Sequence, residues 1–423
     1  MRSILVVVAL CGLTLPRRSA AQNPAEVDRL MQDVGVRAAL DATRTGEDQV
    51  IADQVRFCEI PAPEFNETAR GVVVKQAFEQ LGLTNVRVDR VGNVLGDRAG
   101  RAAKPRLVIA GHLDTVFPEG TDVHVTRDGS VLKAPGIGDD CRGLAVLMGI
   151  IRALNAAKVQ TQGTITFVAD VGEEGLGDLR GMKALFDETL KGQIDRFVSI
   201  DGSGIGVTRV AVGSHRYRMT FKGPGGHSFG AFGLANPIHA MGRAIAAIAD
   251  IQVPKDPKTT FNVGRVGGGT SVNSIPFEGW FEVDMRSSDK ASLAAVDAKV
   301  QAAVDSAVVQ ENRRWNHPGM ITVEKKLVGD RPAGNTPADA PIVRTALAVA
   351  GALGKSVTPG EGSTDSNYPM SLGIPAITVG GGGRGYDAHA LTERFDTTDS
   401  WLGTQWVTLL AVALSQTGGA AVP

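Results

Sequence analysis

Five short segments of this sequence place metal-ligating or proton-transferring side chains beside glycine-rich or apolar runs. The first is Gly111-His112-Leu113-Asp114-Thr115, directly after the apolar run 105–110. Residues two apart in an extended chain face the same way. His112 can therefore ligate a cation while Asp114 holds its other ring nitrogen, the support that metal-bound imidazoles usually need. The second, Gly136-Ile137-Gly138-Asp139-Asp140-Cys141-Arg142-Gly143, is a glycine-rich turn opening a helix. A carboxylate there can bridge two cations, or simply cap the helix, a position that Asp favours. The third is Val171-Gly172-Glu173-Glu174-Gly175. Adjacent carboxylates repel unless a cation relieves them, so one can ligate while the other stays free as a general base; a solvated loop is the plainer alternative. The fourth is Ile200-Asp201-Gly202, and the fifth Tyr386-Asp387-Ala388-His389-Ala390-Leu391-Thr392-Glu393, just beyond the glycine run 380–383. Each alone also reads as a turn.

The elements around these segments decide whether they meet. Apolar strands at 105–110, 163–171 and 196–200 alternate with helices at 143–157 and 181–190, which argues for an α/β sheet that is largely parallel. Ligands of such sheets bind beyond the carboxyl ends of the strands, where the five segments fall. The pattern then changes to an alternating strand at 213–223, an amphipathic helix at 237–251, strands at 259–266 and 279–285, and a helix at 292–309. Leu293, Val296, Val300 and Val304 line one face of that last helix. This order suggests a small α+β unit inserted over 210–326. The α/β pattern resumes with a helix at 341–353, a strand at 376–379 and a helix at 400–415, so the larger unit is expected over 22–209 and 327–423.

Composition excludes several classes. With 43% hydrophobic and 21% charged residues the chain is neither disordered nor fibrous. A formal charge of −1 and no basic patch argue against nucleic acid as a partner. Arg2, the apolar run 4–15 and Ser19-Ala20-Ala21 have the order of a secretory signal peptide over 1–21. That run is too short for a permanent membrane span, so a periplasmic or secreted protein is expected. Only Cys58 and Cys141 lie beyond that segment. Two cysteines are no disulfide framework, although a single bridge between them is open.

Taken together, His112, Asp139, Glu174, Asp201 and His389 follow strands on one face of one sheet, and two His with three carboxylates suit a pair of zinc ions sharing one carboxylate. These motifs resemble the cocatalytic zinc-peptidase family that includes aminoacylase, carboxypeptidase G, succinyl-diaminopimelate desuccinylase and peptidase T. The resemblance covers about residues 45–415. It implies a mostly parallel α/β catalytic domain of the phosphorylase/hydrolase-like kind with an inserted ferredoxin-like lid, and two zinc ions per chain for which Co2+ or Mn2+ could substitute. It further implies His112 and Asp201 on one zinc, Glu174 and His389 on the other, and Asp139 bridging, with Glu173 as general base and Asp114 orienting His112. Family members usually carry Lys two residues beyond the bridging Asp; here Cys141 stands there, a thiol expected near the metals.

The inserted unit resembles the family's lid, through which a homodimer is expected. Gly223-Pro224-Gly225-Gly226-His227-Ser228 matches a lid motif whose His steadies an oxyanion, and Asn273 and Arg286 match substrate-gripping positions. The backbone near Gly381 is expected to line the site, whereas His124, His215, His239 and His317 are expected to be structural. Asp201, rather than Glu, is similar to the aminopeptidase and dipeptidase branch. Amide hydrolysis of short peptides is therefore expected, with a carboxypeptidase or N-acyl amino acid amidohydrolase as the alternative. A non-catalytic peptide-binding protein should have lost a ligand or the base, and this chain has all six.

Overall fold

The computed structural model describes residues 24–316 and 320–416; the expected leader and His317 lie outside the described residues. Helices α1 (Pro24–Gln32), α2 (Val34–Thr45), α3 (Glu47–Cys58) and α4 (Thr68–Gln80) come first. Asp33 caps α2 by accepting the Val36 amide, and Val36, Ala39 and Leu40 bury its inner face. Next come β1 (Thr84–Val88), β2 (Val94–Arg98), β3 (Leu107–His112), α5 (Cys141–Ala156), β4 (Ile165–Asp170), β5 (Arg196–Ile200) and β6 (Val207–Ala211). Strands β3, β4 and β5 are buried at every position, because a strand covered on both faces has no solvent side on which to place polar residues.

The chain then leaves this sheet for β7 (Gly213–Lys222), α6 (Pro237–Ala249), β8 (Thr259–Gly268), β9 (Glu278–Ser287), α7 (Lys290–Arg314) and β10 (Thr322–Arg331). These strands form an antiparallel sheet in the order β8-β9-β7-β10, a ferredoxin-like arrangement whose last strand continues past residue 326 to Arg331. Strand β9 buries every second residue, including Phe281, Val283 and Met285, which pack with Leu293, Val296, Val300 and Val304 of α7. The alternation leaves Asp284 and Arg286 on the opposite face.

On its return the chain adds β11 (Gly334–Asn335), α8 (Pro341–Ala352), β12 (Gly360–Gly362), β13 (Ala376–Val379) and α9 (Trp401–Gln416). The larger sheet has the order β1-β2-β4-β3-β5-β13-β6-β11, with β12 beside β6. Its middle, β4-β3-β5-β13, is parallel, while β1, β2, β6 and β11 join antiparallel at the margins. Helices α5, α8 and α9 pack on one core with it; α9 is buried from Trp406 to Ser415. Among the described residues no helix is long and apolar enough to cross a membrane.

Two local differences from the sequence expectation bear on the site. Strand β3 begins at Leu107 and ends on His112, so His112 closes the strand instead of following it; Pro105 has no N–H to give a ladder. The helix expected at 181–190 is a short α-turn, Arg180–Ala184, continued by a wider turn at Leu185–Thr189.

Arg142 at the start of α5 ties these layers together. It is fully buried, donates to the carbonyls of Gly381 (2.8 Å) and Ser400 (2.6 Å), and pairs with Glu47 of α3 at 3.0 Å. Arg142→Met would strand the buried Glu47 charge and two carbonyls, and is expected to cost about 3–5 kcal/mol of unfolding free energy. Urea denaturation checks this; a loss under about 1 kcal/mol, ordinary for any substitution, would mean that Arg142 does not hold the junction.

Candidate metal centre

Strand ends deliver most of the site. His112 closes β3 opposite Asp170, the last residue of β4. Glu173 and Glu174 follow in the turn after β4, where Gly172 takes φ +71° and a Cβ would meet Arg180 Nη1 at 2.1 Å. Only glycine fits there. Asp201 follows β5, its amide donating to the Val379 carbonyl at 3.0 Å. Asp139 comes from the turn before α5, and His389 from the loop beyond β13, at φ +67°.

The five side chains converge. His112 Nε2 lies 3.0 Å from Asp139 Oδ1. His389 Nε2 lies 3.1 Å from Asp139 Oδ2 and 3.0 Å from Glu174 Oε1. The donor atoms of His112, Asp139 and Asp201 all lie within 4.8 Å of one another, and so do those of Asp139, Glu174 and His389. Asp139 belongs to both groups and turns one oxygen toward each histidine, as a carboxylate shared by two cations must. Glu173 groups with His112 and Glu174, beside the pair. Asp140 takes the other option open at its turn: it caps α5 by accepting the Gly143 amide at 2.9 Å and also accepts the His112 amide at 3.1 Å. Capping and convergence thus fall on neighbouring residues.

Asp114 supports His112, but not in the way its spacing suggests. The imidazole Nδ1 lies 3.0 Å from the Asp114 backbone carbonyl and 3.7 Å from its carboxylate, too far for a hydrogen bond. That carboxylate instead accepts the amides of Glu173 (3.1 Å) and Glu174 (2.8 Å), since β3 and β4 run side by side and their end turns touch. Glu393, the last residue of the His389 segment, does similar work: it accepts the amides of Gly136, Gly138 and Asp139 at 2.9–3.1 Å. From below, buried Arg70 of α4 donates to the Leu113 carbonyl at 2.7 Å.

So many acids in one place leave a marked electrostatic signature. Burial pushes the Glu173 carboxyl up to about 8. Burial, with repulsion from Asp139, pushes Asp201 up to about 7. Burial opposes ionisation of Asp139 too, yet hydrogen bonds from His112 and His389 hold it well below the usual carboxylate range. Hydrogen bonds to Asp139 and Glu174 push His389 up to about 10. In each case the missing ingredient is positive charge, and protonated imidazoles stand in for it. Two imidazoles and three carboxylates with one shared are a donor set that fits two divalent cations.

A cavity of about 360 Å³ opens over these donors. Arg216, Arg286, Arg331 and Ser363 line it with them. Arg216 and Arg286 flank Asp284, at 2.9 and 2.7 Å, because β7 and β9 pair Arg216 with Asp284. Arg331 lies 3.1 Å from Glu173. Arg286 was expected there from its motif; Arg216, Arg331 and Ser363 were not, and strand alternation linking Arg216 to the Arg286 face is the one signal that could have found any of them. A larger depression of about 690 Å³ beside Lys133 and Arg394 contains none of the convergent donors.

Other expected residues lie elsewhere. His227 and Asn273 sit on the small pair Gly226–His227 and Ser274–Ile275 and its loop, exposed and away from the cavity lining. His227 Nδ1 accepts the amides of Phe229 and Gly230 at 3.2 Å. Gly381 is not a lining residue: it packs against Arg142 and Val146 of α5, where a Cβ would stand 3.1 Å from the arginine stem. The glycine run serves close packing of backbone on helix. Nor does Cys141 face the donors; it is buried with Cys58, Ile137 and Phe395, and both thiols are free. His124 and His215 pair with Glu59 and Asp297, each at 2.8 Å, and His239 lies 3.8 Å from Glu311.

Residues 108–413 match the family model for peptidase family M20/M25/M40. Among curated proteins, the chain is similar to the uncharacterized protein YqjE of Bacillus subtilis, 25% identical over 79% of this chain and 90% of that one. It is 23% identical to a succinyl-diaminopimelate desuccinylase of Corynebacterium glutamicum, over 82% of this chain and 91% of that one. Among solved structures, a tripeptidase from Staphylococcus aureus superposes with a TM-score of 0.72 at 22% identity, covering 87% of this chain and 99% of that one. The Bacillus subtilis YXEP protein, a dinuclear metal binding peptidase, gives 0.65 at 20% identity over 88% and 99%.

Shared ligation by Asp139 has a measurable consequence. Asp139→Ala is expected to lower metal content from two ions per chain to less than one, whereas His389→Ala should keep one; equal losses would remove the bridge. Without metal, His389 holds its proton to about pH 10, and a cation must displace it. Below that pH the affinity should fall by about tenfold per unit for each proton displaced. Calorimetry of metal binding in buffers of different ionisation enthalpy should register that proton release; binding that does not depend on pH would contradict it.

Proposed function

This chain belongs to peptidase family M20/M25/M40 and is a metal-dependent hydrolase; on that premise we propose that it is an exported di-zinc peptidase cleaving the amide bonds of short peptides. The observation that carries the reading is the sharing of Asp139 between two donor groups, with Glu173 at their margin and engaged by an arginine. A zinc pair, replaceable by cobalt or manganese, would polarise the scissile carbonyl and activate water there. Glu173 takes the proton of the attacking water and passes it to the leaving amine. His112 and Asp201 would hold one ion and Glu174 and His389 the other, and Asp114 keeps both His112 and the Glu173–Glu174 turn in place.

The inserted unit supplies the substrate contacts. Arg286, half-exposed on the cavity wall, offers a fork that suits a free carboxylate. His227 and Asn273 would act from a second copy of the chain, with His227 steadying the oxyanion. Exposed Phe229, Phe232, Val272 and Phe277 around them support pairing of two lids. Asp201 as the fourth ligand and the likeness to a tripeptidase favour di- and tripeptides. Arg216 and Arg286 at the cavity and the desuccinylase relatives favour the second reading, a carboxypeptidase or N-acyl amino acid amidohydrolase. Export rests on the signal-like segment 1–21; mature protein from the periplasm or medium should begin near Gln22.

A panel of dipeptides, tripeptides and N-acetyl amino acids, assayed with the zinc-loaded protein, separates the readings, since dependence on a free substrate amine marks the first. Glu173→Ala should lose at least about 100-fold in kcat while keeping two metal ions per chain. Activity near wild type would strip Glu173 of its role.

A further inference from the structure

We propose that Arg331 is the positioning residue for Glu173, and that through it the junction of the inserted unit sets the general base; the inference rests on Glu173 being that base. Arg331 is the last residue of β10, paired with Ser214 near the start of β7, so it stands where the inserted sheet rejoins the larger one. Its side chain runs back into the cleft. Nη1 donates to Glu173 Oε1 at 3.1 Å and to Ser363 Oγ at 3.3 Å, and Nη2 donates to the Glu173 backbone carbonyl. One guanidinium thus holds the carboxylate and the main chain of a single residue, and its planar fork is what allows both. From the other side the Asp114 carboxylate accepts the Glu173 amide. Glu173 is fixed at its N–H, its C=O and one carboxylate oxygen. Oε1 is engaged, so proton exchange with water and with the leaving amine falls to Oε2.

Two further observations separate this role from substrate binding and from simple charge balance. The Arg331 side chain is only 5% exposed, against 42% for Arg286 on the same cavity; the exposed guanidinium is the one free to meet a ligand. The donor oxygens of Glu173 and Glu174 both lie within 4.8 Å of His112, close enough for Glu173 to swing onto a cation as an extra ligand. The contact with Arg331 pulls it back. Because Arg331 belongs to β10, any shift of the inserted unit moves the group that holds the base.

The test uses the zinc-loaded full chain. Arg331→Ala is expected to lower kcat about 100-fold, the cost of a misplaced catalytic group, with KM within about threefold and two metal ions retained. Arg331→Lys should recover only part of the loss, since it cannot grip two atoms at once, and free guanidinium added to Arg331→Ala should restore about tenfold or more, as filling a vacated ionic contact can. A raised KM with unchanged kcat would make Arg331 a substrate contact instead. Loss of metal, or the absence of guanidinium rescue in a folded, metal-loaded variant, would make its role structural. Either overturns the proposal. A wild-type chain inactive on the whole panel, or an active Glu173→Ala, would remove the base itself and this inference with it.

Discussion

Crowding of carboxylates beyond the carboxyl ends of β3, β4 and β5 is the interaction on which the rest of the structure depends. Asp114, Asp139, Asp140, Glu173, Glu174, Asp201 and Glu393 share this region, most of them buried. A buried charge without a partner costs several kcal/mol. The chain meets that cost unevenly, and the unevenness assigns the roles. Asp114, Asp140 and Glu393 each accept two or three main-chain amides, so their oxygens are partnered inside the protein and they fix loops. Among the described residues the Asp139 and Glu174 carboxylates meet histidines, and Asp201 follows the strand with its side chain in the same cluster. Asp139, Glu174 and Asp201 are thus the carboxylates of this set that gather in the groups able to hold a cation without an amide or an arginine to serve them.

The same distinction explains what was legible in the sequence. His112, Glu174 and Asp201 could be read because each is a polar interruption at or just past an apolar run, and buried parallel strands announce themselves as such runs; Asp139 and His389 could be read from the glycine-rich segments beside them. The α/β order and a small inserted α+β unit were legible for the same reason, through periodicity, whereas its ferredoxin-like form was implied by the family resemblance. The direction of Asp114 was not: spacing says which residues share a face, but the amides that compete for a carboxylate come from the neighbouring strand. Gly381 misled because glycine marks close backbone approach, and here the approaching group is a helix.

Arg216 and Arg331 were hidden for another reason. A charged residue on an alternating strand has the pattern of a solvated face, and only the docking of the inserted sheet against the β4 turn shows that this face looks into the cleft. The helices at 24–80 carry no ligand, so a reading led by chemistry passes over them. Even so, Arg70 of α4 holds the Leu113 carbonyl and Glu47 of α3 pairs with Arg142. Single buried cations of this kind carry no local pattern and become visible only with their tertiary partners.

The two sets of residues on the inserted unit also differ in how they are held. Arg216, Asp284 and Arg286 are fixed by strand register on a sheet packed over its own helices, and the two arginines reach the cavity within one chain. His227 and Asn273 sit on a two-residue strand pair among exposed apolar side chains, with no contact to the centre. A rigid sheet can place a group accurately only as far as its own strands reach. The donor cluster is therefore complete without movement of the inserted unit, because every one of its side chains hangs from the larger sheet and its loops. What the inserted unit controls lies one layer out, where Arg331 meets Glu173 and the arginines meet whatever enters the cavity.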